Sequence, residues 1–131
     1  MVKRIKRTVD EKMEVENAMK SLGWNAFPAD TNNLGPKDCI VRWTNYTFDL
    51  LTQESYWGTP EICITFNIEN NNELPYIIDE ILVNVTDYVE SSGAANCTSF
   101  KFTHSVVQPL GELTTVELYA DIQYEKDWIE E

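Results

Sequence analysis

The stretch 61–89, EICITFNIENNNELPYIIDEILVNVTDYV, holds two hydrophobic periods side by side. In its first nine residues Ile62, Ile64, Phe66 and Ile68 alternate with Glu61, Cys63, Thr65, Asn67 and Glu69. A period of two makes a strand with one apolar and one polar face. Asn70, Asn71 and Asn72 break the run, and Pro75 suits the first turn of a helix. From there Leu74, Ile77, Ile78, Ile81, Leu82, Val85, Tyr88 and Val89 keep helical spacing, with Asp79, Glu80, Asn84 and Asp87 mostly outside that stripe. Ser91, Ser92 and Gly93 stop it. A one-sided strand followed by an amphipathic helix is half of a layered α+β domain.

The same two periods recur outward from this stretch. Thr8-Val9-Asp10-Glu11 reads as a capping box for a helix over residues 9–22, with Val15, Ala18, Met19 and Leu22 on one face and Gly23 placed to end it. Residues 23–38 read mostly as loop, with room for a short extended piece from Trp24 to Phe27. Residues 39–51 read as a strand. Its alternation puts Val41 and Trp43 on one face and Tyr46 and Phe48 on the other, which predicts a bulge near Thr44-Asn45. Residues 52–60 read as a long hairpin tip. Toward the C-terminus, Phe100, Phe102, His104 and Val106 alternate in one strand, and Val116, Leu118, Ala120, Ile122 and Tyr124 in the next, with a turn over residues 109–112. The order αββαββ predicts an antiparallel four-stranded sheet with two helices on one face. Length fits a single domain over residues 1–131, with a basic arm at 1–8 and the α+β core at 9–126. The expected core is Ile64, Phe66, Ile78, Ile81, Leu82, Val85, Phe102, Leu118 and Ile122. The other sheet face is expected to be polar, with Glu61, Glu69, Glu117, Asp121 and Glu125 against Lys101, open to water or covered by a partner.

Charge is distributed unevenly. The net charge is −12, and from Trp43 to Phe100 the chain has no lysine or arginine but nine carboxylates. Lys3, Arg4, Lys6 and Arg7 hold four of the ten basic residues, so the remainder sets six cations against 22 carboxylates. Such a body repels nucleic acid and anionic lipid, and it suits a basic partner or a passage to which nucleic acid must not stick. No apolar run approaches the roughly 20 residues of a membrane span, and no secretory leader is legible, so the expected compartment is cytoplasmic.

Chemistry is sparse. Cys39, Cys63 and Cys97 are odd in number and widely spaced, and with one histidine they fit buried reduced thiols better than a zinc site. The three Asn-X-Thr matches at Asn45, Asn84 and Asn96 read as chance. His104 on an apolar strand face reads as a core or edge residue. No nucleophile elbow, phosphate-cradling glycine loop or paired-carboxylate motif is present, so no catalytic residue, metal or cofactor is expected and the chain reads as a non-enzyme. The interaction candidates are the tip residues Gln53, Glu54, Tyr56 and Trp57, the arm residues Lys3, Arg4, Lys6 and Arg7, and Glu117 and Asp121 on the polar sheet face. Tip aromatics qualify because Tyr and Trp are enriched at interface centres.

The order of elements resembles the tail terminator, or tail completion, proteins of long-tailed bacteriophages. The parallels are the helix at 11–22, the hairpin at 39–69, the helix at 74–89 and the strand pair at 100–124; the likeness is one of topology rather than of any residue signature. It implies a structural virion protein in the tail or neck, made in the host cytoplasm. Copies would form a homo-oligomer, commonly a hexameric ring, that caps the tail tube, ends its polymerisation and joins the tube protein to the head connector protein. It implies no membrane and no sequence-specific nucleic-acid binding. From a different class, an acidic inhibitor or immunity-type protein binding a basic partner such as a nuclease fits the same charge.

Overall fold

The computed structural model describes residues 3–5, 11–50, 55–69, 71–91 and 97–130. The chain runs β1 (Lys3–Ile5), α1 (Glu11–Ser21), β2 (Asn25–Phe27), β3 (Asp38–Leu50), β4 (Ser55–Ile68), a 3-10 turn (Asn71–Glu73), α2 (Leu74–Ser91), β5 (Cys97–Leu110) and β6 (Leu113–Glu130). The residues expected to cap α1, Thr8 to Asp10, lie outside the described residues. Its C-terminus is closed by a Schellman arrangement. Trp24 N–H donates to the Met19 carbonyl at 3.0 Å and Gly23 N–H to that of Lys20 at 3.0 Å, with Gly23 at φ +90°.

The α+β class holds, but the four-stranded antiparallel sheet is corrected to a larger mixed one. Across it the order is β5-β6-β4-β3-β2, and β1 pairs with the far end of β6. In the run β3, β4, β6, β5 each strand is antiparallel to its neighbour, whereas β2 runs parallel to β3. β1 and β2 are three residues each, too short to show a period. β4 and β5 both flank β6 antiparallel and so run parallel to each other. Parallel strands need a long crossover, and α2 is that crossover.

The expected tip is also corrected. β4 begins at Ser55, so Tyr56 and Trp57 are strand residues, opposite Leu50 and Asp49 on β3 and Lys126 and Glu125 on β6. Gln53 and Glu54 lie outside the described residues. Far from the helices, β3, β4 and β6 thus continue as a three-stranded ribbon.

One apolar cluster joins Val15, Ala18 and Met19 of α1, Ile81, Val85 and Val89 of α2, and the inward residues of β3, β4, β5 and β6, so both helices lie on one face. Ile64, Phe66, Ile81, Val85, Leu118 and Ile122 are buried as expected, while Ile78 and Phe102 are half-buried against the cluster and Leu82, expected in the core, is only half-buried. Burial crosses the helix-side face diagonally. α1 packs on β2 and β3, and α2 on β5. On β3, Cys39 and Val41 are buried but Trp43, Tyr46 and Phe48 are exposed; on β5, Phe100 is buried but Ser105 and Val107 are exposed. The helix layer therefore leaves two opposite corners of the sheet bare.

Both outer long strands carry a bulge at the same level, the row Trp43, Ile62, Ala120, Phe102. The extra residues are Thr44 and Thr103, and each hydroxyl bonds the neighbouring inner strand: Thr44 to the Glu61 carboxylate at 2.8 Å, Thr103 to the Tyr119 carbonyl at 3.3 Å. The first bulge is the one expected at 44–45. Its effect is to return Tyr46 and Phe48 to the face of Trp43, opposite Pro60 and Gly58. The second was not anticipated, and it moves His104 from the apolar face to the polar one.

Candidate functional site

The helix-free face of the sheet gathers the polar side chains into cross-strand rows. Arg42 on β3, Cys63 on β4, Tyr119 on β6 and His104 on β5 form one row, and Ile40, Thr65, Glu117 and Val106 the next. The Glu117 carboxylate is the hub. Its Oε2 accepts from Arg42 Nη2 at 3.1 Å, from Tyr119 Oη at 3.4 Å and from Cys63 Sγ at 3.9 Å. Arg42 also reaches the Thr65 hydroxyl at 3.4 Å. The Arg42 and Glu117 side chains are 41% and 28% exposed, so this ion pair is worth about 0.5 kcal/mol and serves more to orient both groups. His104 lies flat on Tyr119, ring centroids 4.4 Å apart at 3°, and its Nδ1 is 2.9 Å from the Thr103 hydroxyl.

The thiols of Cys39 and Cys63 are held neutral. Burial, with Glu16 and Asp38 nearby, pushes the Cys39 pKa up to about 12. Burial also raises that of Cys63, against hydrogen bonds from Thr65 and Arg42 that lower it. Burial, then the neighbouring Cys63 and Glu117, raise that of the Tyr119 phenol. A buried thiol held in its neutral form is a poor nucleophile. Among the described residues no three His, Cys, Asp or Glu side chains converge as a metal site.

At one end of the sheet a cavity of about 420 Å³ lies between the loop before β3 and the start of α2. Trp24, Leu34, Ile68, Ile77 and Leu113 line it, with Lys37, Glu69 and Glu73 among its polar groups. Trp24 packs on Phe66 with ring centroids 4.8 Å apart, and Lys37 Nζ sits 4.7 Å over the Trp24 ring. Lys37 adopts φ 64°, and its carbonyl accepts Asn25 N–H at 2.7 Å, which fixes β2 beside β3. The same loop folds toward the polar face, where the Leu34 carbonyl accepts Asn67 Nδ2 at 3.3 Å.

The sequence candidates scatter over this surface. Glu117 and Asp121 both lie on the polar face, Glu117 as its hub and Asp121 opposite Glu61 and Lys101. Lys3 and Arg4 stand opposite Glu130 and Ile129, so this part of the basic arm is a strand on the acidic end of β6. Lys6 and Arg7 lie outside the described residues. Sequence reasoning passed over Arg42, Cys63 and Tyr119, which only the strand register brings together. It also passed over Trp43, Tyr46 and Phe48 as an exposed strip, although their spacing around the bulge was visible. Comparison with known protein families and with curated proteins finds no match to this chain.

Proposed function

We propose that the chain is a ring-forming structural protein of the tail-terminator kind, which caps a phage tail tube and joins it to the head connector. The observation that carries this reading is the two-sided sheet: both helices cover one face, while Glu61, Glu117 and Asp121 stand on the other against Arg42 and Lys101. A helix-free face with surplus carboxylates suits the wall of a passage for DNA, because phosphate attraction requires Lys and Arg in excess. The ribbon of β3, β4 and β6 beyond the helices supplies a second surface, suited to the tube end.

Electron microscopy of the purified chain mixed with polymerising tail-tube subunits tests this. Six-fold rings at the ends of tubes of uniform length are the expected result. Undecorated tubes that keep growing would refute it. A tight one-to-one complex with a basic nuclease, abolished by added salt, would favour the inhibitor reading instead.

A further inference from the structure

The sheet ends in two long strand edges, both interrupted by bulges and both poor in carboxylates. Among the described residues, β2 pairs with β3 only at Asp38, Cys39 and Ile40, and no strand pairs the outer edge of β3 beyond them. On the other side, again among the described residues, β5 pairs with β6 alone. Proteins commonly guard such edges with charge or proline. Here Lys101 and Pro109 on β5 are guards of that kind, but carboxylates are scarce on both edges. From Ser91 to Gly111, which includes all of β5, there is no carboxylate, in a chain with 22 of them. Residues 41–50 of β3 hold one cation, Arg42, and one carboxylate, Asp49. Seven of the acidic residues sit instead on the two helices and five on the inner strand β6, whereas β4 holds only Glu61.

Each carboxylate-poor edge also borders a bare apolar corner. Trp43 is 45% and Phe48 64% exposed beside the edge of β3; Val107 is 41% exposed beside that of β5. Two copies of an acidic chain meet with least repulsion where carboxylates are fewest. The strand directions permit the contact. β5 is antiparallel to β6, β6 to β4 and β4 to β3, so β3 and β5 point opposite ways. A copy rotated about an axis along the strands therefore presents its β5 antiparallel to β3 of its neighbour. A two-fold pairing of β5 with β5 would leave the aromatic corner of β3 bare, whereas a head-to-tail contact covers both corners with one interface.

We infer that copies of this chain join head to tail, the outer edge of β3 in one copy adding to the outer edge of β5 in the next. The sheet continues from subunit to subunit, with the helices on one side and the Arg42–Glu117 face on the other. Such a heterologous contact closes a ring when the rotation permits. This rests on the reading of the protein as a ring subunit and names the surface through which the ring is built.

Two variants test it, Trp43→Glu on β3 and Val107→Glu on β5, both at exposed positions, with far-UV dichroism and melting as the check on folding. Sedimentation of the wild-type chain up to millimolar concentration is expected to show self-association, and each variant alone is expected to lose it. Mixed together they are expected to form one dimer of twice 15.1 kDa, because one copy retains an intact β3 edge and the other an intact β5 edge. A wild-type chain that stays monomeric throughout overturns the inference. So does a mixture that stays monomeric while the wild type associates, and so does a Trp43→Glu variant that still dimerises, which would mean a two-fold β5 contact. If both variants associate like the wild type, the join is wrong although a ring remains tenable. If either variant fails to fold, hydrogen exchange on the wild type decides. Amides of residues 41–50 and 97–110 must gain protection together as concentration rises, and protection of only one edge refutes the head-to-tail join.

Discussion

Replacing Leu118 and, separately, Glu117 with alanine tests whether β6 presents the faces described. Leu118 is 1% exposed, lies opposite Ile64 on β4 and Ser105 on β5, and belongs to the apolar cluster. Leu118→Ala removes three carbons, a transfer loss of about 2.4 kcal/mol at roughly 0.8 kcal/mol each. The cavity left behind adds to this, and measured Leu→Ala costs run from about 2 to 5 kcal/mol. β6 is hydrogen-bonded to a neighbour on each side, so its backbone cannot move in to fill the void. The cost should fall in the upper half, about 3.5–5 kcal/mol. Unfolding entropy near 2.1 cal/mol/K per residue gives roughly 0.28 kcal/mol/K for 131 residues, so the melting temperature should drop by about 13–18 °C. Glu117→Ala, one residue away on the opposite face, loses a half-exposed ion pair and the hydrogen bond from Tyr119, together about 1–1.5 kcal/mol, or about 4–5 °C. Thermal melts by far-UV dichroism, with urea titrations as a check, give both numbers. A one-residue slip of β6 would exchange the two faces, so Glu117→Ala costing more than Leu118→Ala would refute the register and the candidate face with it.

Cys39 and Cys63 should resist Ellman's reagent in the native protein at pH 8 and react after unfolding in urea; rapid native labelling of either, read by peptide mapping, would contradict their burial. Because the folded Cys39 pKa is raised to about 12 from an ordinary thiol value of 9.0, its contribution to stability is fully present below pH 9 and is lost as pH rises toward 12, so urea midpoints should decline across that window. Gly23→Ala should cost about 1 kcal/mol, all of it conformational, since an added Cβ meets nothing within 4 Å and only the positive φ opposes it; a loss above about 3 kcal/mol would point to a steric clash instead. Duplex DNA should not shift in a gel with the full chain, and any weak binding at low salt should disappear when Lys3, Arg4, Lys6 and Arg7 become alanine; salt-sensitive binding that survives those changes would remove the acidic-passage reading.

The longer periodic elements could be read from sequence because each buries one face and so writes its period into the chain. α2 and the inner half of β4 are the clearest instances. Gly23 and the bulge at 44–45 could be read because a helix stop and a broken alternation leave local marks. β1 and β2 could not, since three residues hold no period. The outer half of β4 was hidden by Gly58 and Pro60. Proline lacks the donor a central strand needs, and the pairing with β6 indeed skips Thr59 and Pro60, resuming at Gly58 opposite Tyr124. His104 misled for the opposite reason. Phe100, Phe102, His104 and Val106 alternate without a break, and nothing in that run reveals that Thr103 is the extra residue. Of the candidate face, Glu117 and Asp121 were legible as the polar half of an alternation. Their companions Arg42, Cys63 and Tyr119 were not, because three-way contact between strands is set by register, which is a property of pairs of segments.

The place of β6 in the sheet orders events during synthesis. β3 and β4 can zip as a hairpin as soon as residue 68 is free, but the second flank of β4 is built from Leu113–Glu130, through pairs running from Ile68 with Thr114 to Ser55 with Asp127. Until that segment emerges, the nascent chain holds α2 and half a sheet with its apolar face only partly covered. It must wait through all of α2 and β5 before β6 slides between β4 and β5. Closure of non-local pairs of this kind is slow and leaves sticky surface on view meanwhile. A stop codon early in β6 would therefore trim no peripheral strand; it would take out the strand that lies between β4 and β5 and leave those two unpaired with each other.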